Sequence, residues 1–312
     1  MNIRGGGPTF PNRVFIDLSA NRQTAVSRTD WDFGFYTEAG QFKVILNDAL
    51  SMLAKPLNKT DLTAVTSADT VGMGATLTTD AFSVDNIGYI DAPSGDLNNL
   101  AIDDISATAS ENKVYIVNRG KDAAGNQRSW KKVRVLRNGD NYTIQYADIA
   151  ATTFQTIDVT RNSAYVFNYV SVDSNATVQP EPQKGKWDIA YTAFMNQTNL
   201  GEGFIPYMFN DFIIQNREGV ETVQLLVSSA GEYADFDASD LAGITFSATQ
   251  TTIGSTWRNG GGPSTPPSLR TDRFYLVKDV DGNIYKLKFT ALTTDGERGR
   301  PAIEYALVSA GS

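Results

Sequence analysis

The residue types that carry most enzyme chemistry are missing from this 312-residue chain, which contains neither His nor Cys. The chain therefore has no thiol nucleophile, no disulfide and no imidazole to act as general base or metal ligand. Ser-His-Asp and Cys-His catalysis are excluded. The 35 Asp and Glu residues leave a glycosidase-like carboxylate pair as an alternative. The sequence shows no such pair at a recognisable spacing and no Gly-Lys-Ser/Thr phosphate loop, so we do not expect an enzyme.

The most unusual stretch is IGSTWRNGGGPSTPPSLRTDRF, residues 253–274. Trp and Arg are the residue types that anchor interfaces, and a Gly-rich backbone lets a ligand approach closely. We therefore predict a binding site whose residues are Trp257, Arg258, Asn259, Gly260, Gly261 and Gly262. The alternative is a long surface connection whose Trp covers the edge of a core.

A second stretch, FMNQTNLGEGFIPYMFNDF at 194–212, places Met195 and Met208 among aromatic residues. A Met thioether is one of the axial ligands used for haem iron. Met beside aromatic rings more often fills gaps in a core, and this is the alternative interpretation.

The turn Asp279-Val-Asp281-Gly-Asn283 resembles part of a calcium loop but lacks the Glu at the twelfth position. We favour a β-hairpin here and predict no metal site. Asp281-Gly282, like Asn138-Gly139, is a residue pair typical of type I′ hairpin turns.

Short alternating stretches rich in Val, Ile, Tyr, Phe and Thr must position these residues. They include RVFIDLS (13–19), NKVYIVN (112–118), DRFYLVKD (272–279) and AIEYALV (302–308). Alternation with a period of two, interrupted by Gly, Asn and Asp, is typical of antiparallel β-structure. The sequence therefore predicts an all-β fold with little helix.

The dipeptide Trp-Asp occurs in DWDFGFY (30–36) and again in KWDIAY (186–191). The two tryptophans are 187 − 31 = 156 positions apart, which is half the chain length. Similar strand and turn patterns surround both copies, and such repeats decide architecture. We predict two related antiparallel β-units in tandem, residues 13–158 and 159–312, after a Gly/Pro tether at residues 1–12. In each copy we expect the Trp to anchor the core, on one strand face with Phe33 and Phe35 or with Ile189 and Tyr191.

The formal net charge of −8 and the absence of a basic run argue against nucleic acid or an anionic membrane as the main partner. No apolar run approaches the ~18 residues that a transmembrane helix needs. The N-terminal residues MNIRGGGPTFPNR lack the hydrophobic region of a signal peptide.

The Trp-Asp strands, DRFYLVKDVDGNIYKLKFTAL (272–292) and GERGRPAIEYALV (296–308) together resemble the HmuY-like family of Bacteroidota surface proteins. The order of strand, Asp-Gly-Asn turn, Lys-rich strand and Glu-Tyr strand is the most specific part, and the first half is similar as a diverged copy. The resemblance implies an all-β fold, export, and lipid anchoring at the outer membrane through a Cys upstream of residue 1. It also implies capture of haem by two His or two Met ligands and transfer to a TonB-dependent receptor.

The family's ligand positions fall on SSAGEYADFDASD (228–240) and on Trp257–Gly262, and neither stretch contains His or Met. Tyr233 is the candidate iron ligand in the first stretch. Met195 and Met208 lie outside both and are the alternative ligands.

We therefore expect a non-enzymatic, exported binding protein that captures haem or another small ligand for an outer-membrane transporter. The alternative is a structural or adhesive surface protein that binds a protein or a glycan. Trp257, Tyr207 and Tyr233 are the candidate aromatic platforms for a glycan.

Overall fold

A computed structural model of the chain describes residues 1–262 and 264–311, so that Pro263 and Ser312 lie outside the described residues. Antiparallel strands make up most of the regular structure, and the predicted all-β fold is confirmed. The strands are β1 Asn12–Asp17, β2 Arg22–Ser27, β3 Phe33–Tyr36, β4 Val44–Leu46, β5 Leu53–Pro56, β6 Tyr115–Asn118, β7 Lys131–Asn138, β8 Asn141–Asp148, β9 Gln155–Val159, β10 Phe167–Ser171, β11 Ala176–Val178, β12 Ile189–Asn199, β13 Phe204–Gln215, β14 Glu221–Leu226, β15 Arg258–Asn259, β16 Ser268–Leu269, β17 Arg273–Lys278, β18 Ile284–Ala291 and β19 Ala302–Ser309.

The helices are all short. Two are α-helical, α1 Met73–Thr76 and α2 Val227–Ala230. The rest are 3₁₀ turns at Leu62–Ala64, Ser67–Thr70, Thr79–Ala81, Val84–Tyr89, Ala109–Glu111 and Ala238–Leu241. Within the described ranges, no helix has the length and apolar character needed to cross a membrane.

In the described part of the chain, the strands form five sheets. Four are larger, with strand orders β13-β12-β1-β2, β11-β10-β3-β4, β14-β17-β18-β19 and β5-β6-β7-β8-β9, and β15 pairs with β16. The predicted hairpins at 137–142 and 279–283 are present as the β7–β8 and β17–β18 pairs. Their turns are not type I′, which needs positive φ at both central residues. Only the glycine of each turn, Gly139 or Gly282, has a positive φ, 59° or 84°.

The chain divides into two compact units. Unit 1 consists of Met1–Ser27, Pro182–Ala193 and Phe209–Ser312, and unit 2 consists of Arg28–Glu181 and Phe194–Met208. The predicted boundary at 158/159 falls inside unit 2. The strand pairing gives the reason, because each unit contains a hairpin from the other half of the sequence. In unit 1 the β1–β2 hairpin pairs with β12, and in unit 2 the β10–β11 hairpin pairs with β3.

The N-terminal residues are packed rather than extended as a tether. Asn2 forms a β-bridge with Ala302, and the Ile3 side chain is buried. A Cβ on Gly5 would lie 2.2 Å from the carbonyl oxygen of Gly299, so only glycine permits this approach. Residues 1–12 therefore belong to the body of unit 1.

Each unit has its own apolar core. The core of unit 2 includes Phe33 and Phe35 of β3 packed with Tyr142 of β8. In unit 1, one cluster is built around Phe274 and Leu276 of β17. Burial of apolar surface, at roughly 25 cal/mol per Å², is the main stabilising contribution in both units.

Candidate functional site

The two predicted binding stretches of unit 1 lie on opposite faces of the sheet that contains β18. Successive side chains of a strand point to opposite faces. Phe289 stacks on Trp257, with ring centroids 4.1 Å apart and planes inclined by 15°. Lys286 and Lys288 face the other way, and their Nζ atoms lie 4.9 and 4.4 Å from the ring centroid of Tyr233. The structure therefore does not bring Trp257 and Tyr233 together in one pocket.

Trp257 is a core residue. Its side chain is completely buried, and its indole Nε1 has no hydrogen-bond partner among the described atoms. Asn259 and Gly260–Gly262 are exposed. A molecule that approaches this loop from solvent would therefore meet the backbone at 259–262 and not the indole.

Arg258 holds the loop to β13. Its Nε lies 3.7 Å from Oδ2 of Asp211 and donates to the backbone oxygen of the same residue at 3.4 Å. Asp211 is completely buried, accepts from the hydroxyl of Tyr191 at 2.5 Å, and accepts from Nε of Arg298 at 3.0 Å. Burial lowers the pKa of Arg258, against the opposing charge of Asp211. The guanidinium thus has a structural ion pair and does not project into solvent.

Tyr233 is poorly suited to bind iron. Its ring is buried against Phe274, and its hydroxyl has no partner among the described contacts. Burial raises the pKa of Tyr233 to about 12. Because iron ligation needs the phenolate, that raised pKa opposes a role as ligand.

A methionine cluster forms in unit 2. Met195 and Met208 are members of one apolar cluster, which also contains a third methionine, Met73 of α1. Met195 is buried, whereas Met73 and Met208 are half-buried. We define the methionine cluster as these three residues with the half-buried rings of Tyr89 and Trp130. The sequence pattern does not predict Met73, since Gly-Met-Gly carries no periodic signal.

Exposed apolar side chains are concentrated in the two segments that line the methionine cluster, residues 62–90 and 195–208. Leu200 is 64% exposed and Phe204 52% exposed, around the tip of the β12–β13 hairpin. A Cβ on Gly203 would lie 3.1 Å from Cγ1 of Val84, so the hairpin tip lies against the other segment. Phe82 is 56% exposed nearby in sequence. Exposed apolar groups in this concentration mark binding surfaces.

The two Trp-Asp copies are structural, as predicted, and they share one hydrogen-bonding scheme. In unit 2, the N–H of Val172 donates to Oδ2 of Asp32 at 2.8 Å, and Nδ2 of Asn47 donates to the oxygen of Trp31 at 2.8 Å. The equivalent bonds of unit 1 join Leu18 to Asp188 at 2.7 Å and Asn216 to Trp187 at 3.0 Å. In each unit, the Asp carboxylate thus binds the backbone at the end of a strand of the adjacent hairpin.

One detail of the Trp prediction is wrong. Trp31 packs edge-on against Tyr169, in a different cluster from Phe33 and Phe35. The reason is that β3 begins only at Phe33, so the alternation does not extend back to Trp31.

Charged partners of the two Asp residues differ, and the sequence pattern does not predict them. Asp32 accepts from Arg119 at 2.9 and 3.0 Å and from Arg128 at 2.8 Å, and both arginines also bind Asp173. Burial tends to lower the pKa of Arg119, but hydrogen bonds to Asp32 and Asp173 outweigh it and raise the pKa.

Asp188 lies among other carboxylates. Burial raises the pKa of Asp188 to about 7, although the Leu18 N–H lowers it, and the charges of Asp17, Asp279 and Asp281 raise it further. No group of three or more acidic side chains in the described residues is arranged to hold a metal ion. Arg22 pairs with Asp17 at 3.1 Å, but the net effect of the neighbouring carboxylates on Asp188 is to raise its pKa.

Comparison with known proteins identifies the family of this all-β protein. The sequence profile described as HmuY protein matches residues 10–305. The chain therefore belongs to the HmuY protein family. No curated protein and no solved structure matches the chain.

Proposed function

We propose that this protein is a non-enzymatic carrier that binds haem, or a similar planar apolar ligand, at the methionine cluster of unit 2. The observation that carries the proposal is that Met73, Met195 and Met208 belong to one apolar cluster with two aromatic rings, in segments that also carry exposed apolar residues. Membership of the HmuY family supports haem as the ligand class.

The donor set of the chain fits this assignment. Without His or Cys, the soft donors are its five methionines. Met52 is buried in a different cluster. Met73 and Met208 are half-buried residues and so partly open to a ligand, whereas Met195 is buried. A thioether bound to haem iron raises its reduction potential relative to His ligation, which is the chemistry these residues would supply.

The remaining groups would bind the ligand's edges and faces. Tyr89 and Trp130 offer ring surfaces for stacking, and Leu200 and Phe204 offer apolar contact. Lys55 lies 5.3 Å from the ring centroid of Tyr89, where its ammonium would attract a ligand carboxylate.

The 253–270 loop is the alternative site. Asn259, Gly260, Gly261 and Gly262 present backbone to solvent, but Trp257 is buried and Arg258 is paired with Asp211. Pro263 of this loop lies outside the described residues. The loop has no thioether, so a ligand held there would have to be recognised through backbone hydrogen bonds.

Titration with hemin tests the proposal and separates the two sites. We expect hemin to show a shifted Soret band with the wild type. We expect the double variant Met73→Leu/Met208→Leu to bind hemin at least tenfold more weakly. Met52→Leu is the matched control, because it removes an equally apolar thioether from another cluster. Absence of a Soret shift in the wild type would rule out haem, and equal binding by all three proteins would rule out the methionine cluster.

Export, a position at the outer-membrane surface and transfer to a TonB-dependent receptor complete the proposal. They rest on family membership alone. Fractionation of producing cells tests the location, and co-purification of a receptor with the haem-loaded protein, but not with Met73→Leu/Met208→Leu, tests the transfer.

A further inference from the structure

A cleft of about 450 Å³ lies in unit 2 and is lined mostly by polar residues, none of which belongs to the segments that line the methionine cluster. One wall is the end of β9 and the loop after it, residues 158–162, and the other is Thr177–Gln179 at and after β11. Both strands are outer strands of their sheets. The volume falls within the roughly 300–1,000 Å³ of small-molecule sites.

The floor of the cleft is held rigidly by side-chain amides. Asn168 is 9% exposed, its Oδ1 accepts from the N–H of Asn162 at 2.7 Å, and its Nδ2 donates to Oε1 of Gln179 at 3.3 Å. Gln179 in turn donates to the oxygen of Phe167 at 3.2 Å. An amide has two N–H donors and two acceptor lone pairs. Within the described contacts, Asn168 can therefore still donate one hydrogen bond and accept one.

The walls carry further hydrogen-bonding groups that the fold leaves available. Thr160 and Thr177 are exposed, and no described hydrogen bond uses their hydroxyls. Oδ1 of Asn162 accepts from Ala164, which leaves its Nδ2 group for a ligand. The cleft therefore offers both donors and acceptors to a ligand.

The charge and polarity of the lining exclude other ligand classes. Asp158 and Arg161 are the charged lining residues, and their formal charges cancel. The guanidinium of Arg161 is engaged by backbone oxygens, including Gln41 at 2.7 Å, so no cation in this lining is left to neutralise an anion. Val159 and Val178 are the apolar residues among the described lining, which contains no aromatic ring and no thioether to hold a haem.

We propose that this cleft binds a neutral saccharide of one or two sugar units. Each sugar hydroxyl is both donor and acceptor, which matches amides and hydroxyls that can serve in both senses. Because the floor is already hydrogen-bonded, little side-chain freedom is lost on binding. No described residue that lines the cleft belongs to the methionine cluster, so we expect the saccharide to bind whether or not haem is bound.

Saturation-transfer NMR with glucose, galactose, mannose, N-acetylglucosamine, lactose and maltose tests the proposal on the full-length protein. We expect saturation transfer to at least one sugar. The affinity for that sugar should be at least tenfold lower in Asn162→Ala and in Thr177→Ala. Thr153→Ala is the control, since Thr153 is exposed and outside the lining.

Two checks keep the result interpretable. Unchanged melting temperatures would show that the variants are folded, because both altered side chains are exposed. Absence of transfer to every sugar in the panel would overturn the proposal. Equal transfer in the wild type and both cleft variants would overturn it as well.

Discussion

In unit 2 the buried carboxylate of Asp32 meets two arginines, Arg119 and Arg128, whereas the carboxylate of Asp188 in unit 1 lies among three other carboxylates. Both carboxylates nevertheless accept an N–H from the adjacent hairpin at nearly the same distance, 2.8 and 2.7 Å. Backbone hydrogen bonding therefore defines the Trp-Asp scaffold in both units. The surrounding charges determine how each unit responds to pH.

A single aligned position accounts for much of this contrast. YIVNRG (115–120) of the first half corresponds to YLVKDV (275–280) of the second, so Arg119 stands where the second half has Asp279. Asp279 is nearly fully buried, and its carboxylate accepts from the N–H groups of Asp281 and Asn283 in the β17–β18 turn. In unit 1 this position therefore serves the turn and does not neutralise Asp188.

Asp32→Asn should have the largest effect. An amide still accepts from Val172, but Arg119 and Arg128 lose the buried charge that offsets their desolvation. Breaking a buried ion pair from one side costs about 3–5 kcal/mol in the free energy of unfolding. Urea denaturation measures it, with Asp173→Asn as control, because the Asp173 side chain is 59% exposed. Equal losses in the two variants would show that burial of Asp32 is not decisive.

Asp188→Asn should change the free energy of unfolding in the opposite direction, so that it stabilises unit 1 above neutral pH. The folded-state pKa of about 7 lies above the unfolded value of 3.8, so the folded protein binds the proton more tightly. The stability contributed by that proton is complete below about pH 4 and is lost as pH rises through 7. The three-unit difference corresponds to about 4 kcal/mol at most.

The measurement is the free energy of unfolding of both proteins from pH 4 to pH 8. Their difference should grow in favour of Asp188→Asn up to pH 7 and then stay constant. Subtraction removes the contributions of the other carboxylates. A difference that does not vary with pH would show that Asp188 titrates normally in the folded protein.

The strands and the Trp anchors follow from the sequence because their signals are local. Alternation within β7, β8, β17 and β18 defines each hairpin together with its turn. The exchange of hairpins between the two halves does not follow, because β1 and β10 have similar patterns and either could pair beside either Trp-Asp strand. Pairing preference between such similar partners is a property of the whole fold.

The site residues are less predictable because their contacts are distant in sequence. Arg119 is 87 positions from Asp32, and no local pattern links them. Residues 259–262 of the Gly-rich stretch are exposed, but nothing in that stretch shows that Trp257 stacks on Phe289. Met73 joins the methionine cluster only through the irregular 62–90 segment, where turns and not periodicity set the positions.

Trp31→Phe and Trp187→Phe test whether the two scaffolds are equivalent. Both rings are buried and make an edge-on aromatic contact. The ring centroids are 4.6 Å apart for Trp31 and Tyr169 and 5.0 Å apart for Trp187 and Phe15. We expect each substitution to cost roughly 1–2 kcal/mol, since Phe retains part of the packing. Thermal unfolding provides the comparison, and costs that differ by more than twofold would contradict equivalence.

Asp281→Asn should cause the smallest change in the free energy of unfolding. It tests whether burial or neighbouring charge sets the pKa of Asp188. Burial is the main cause of that raised pKa, and the charge of exposed Asp281 adds less than those of Asp17 and Asp279. Removal of this charge should therefore lower the pKa of Asp188 by less than one unit, and stabilise unit 1 at pH 8 by under about 1 kcal/mol. The backbone N–H that Asp281 donates to Asp279 is retained, so the turn should persist. A ¹³C titration of the Asp188 carboxyl in both proteins measures the shift. A fall of two units or more would mean that neighbouring charge, and not burial, distinguishes unit 1 from unit 2.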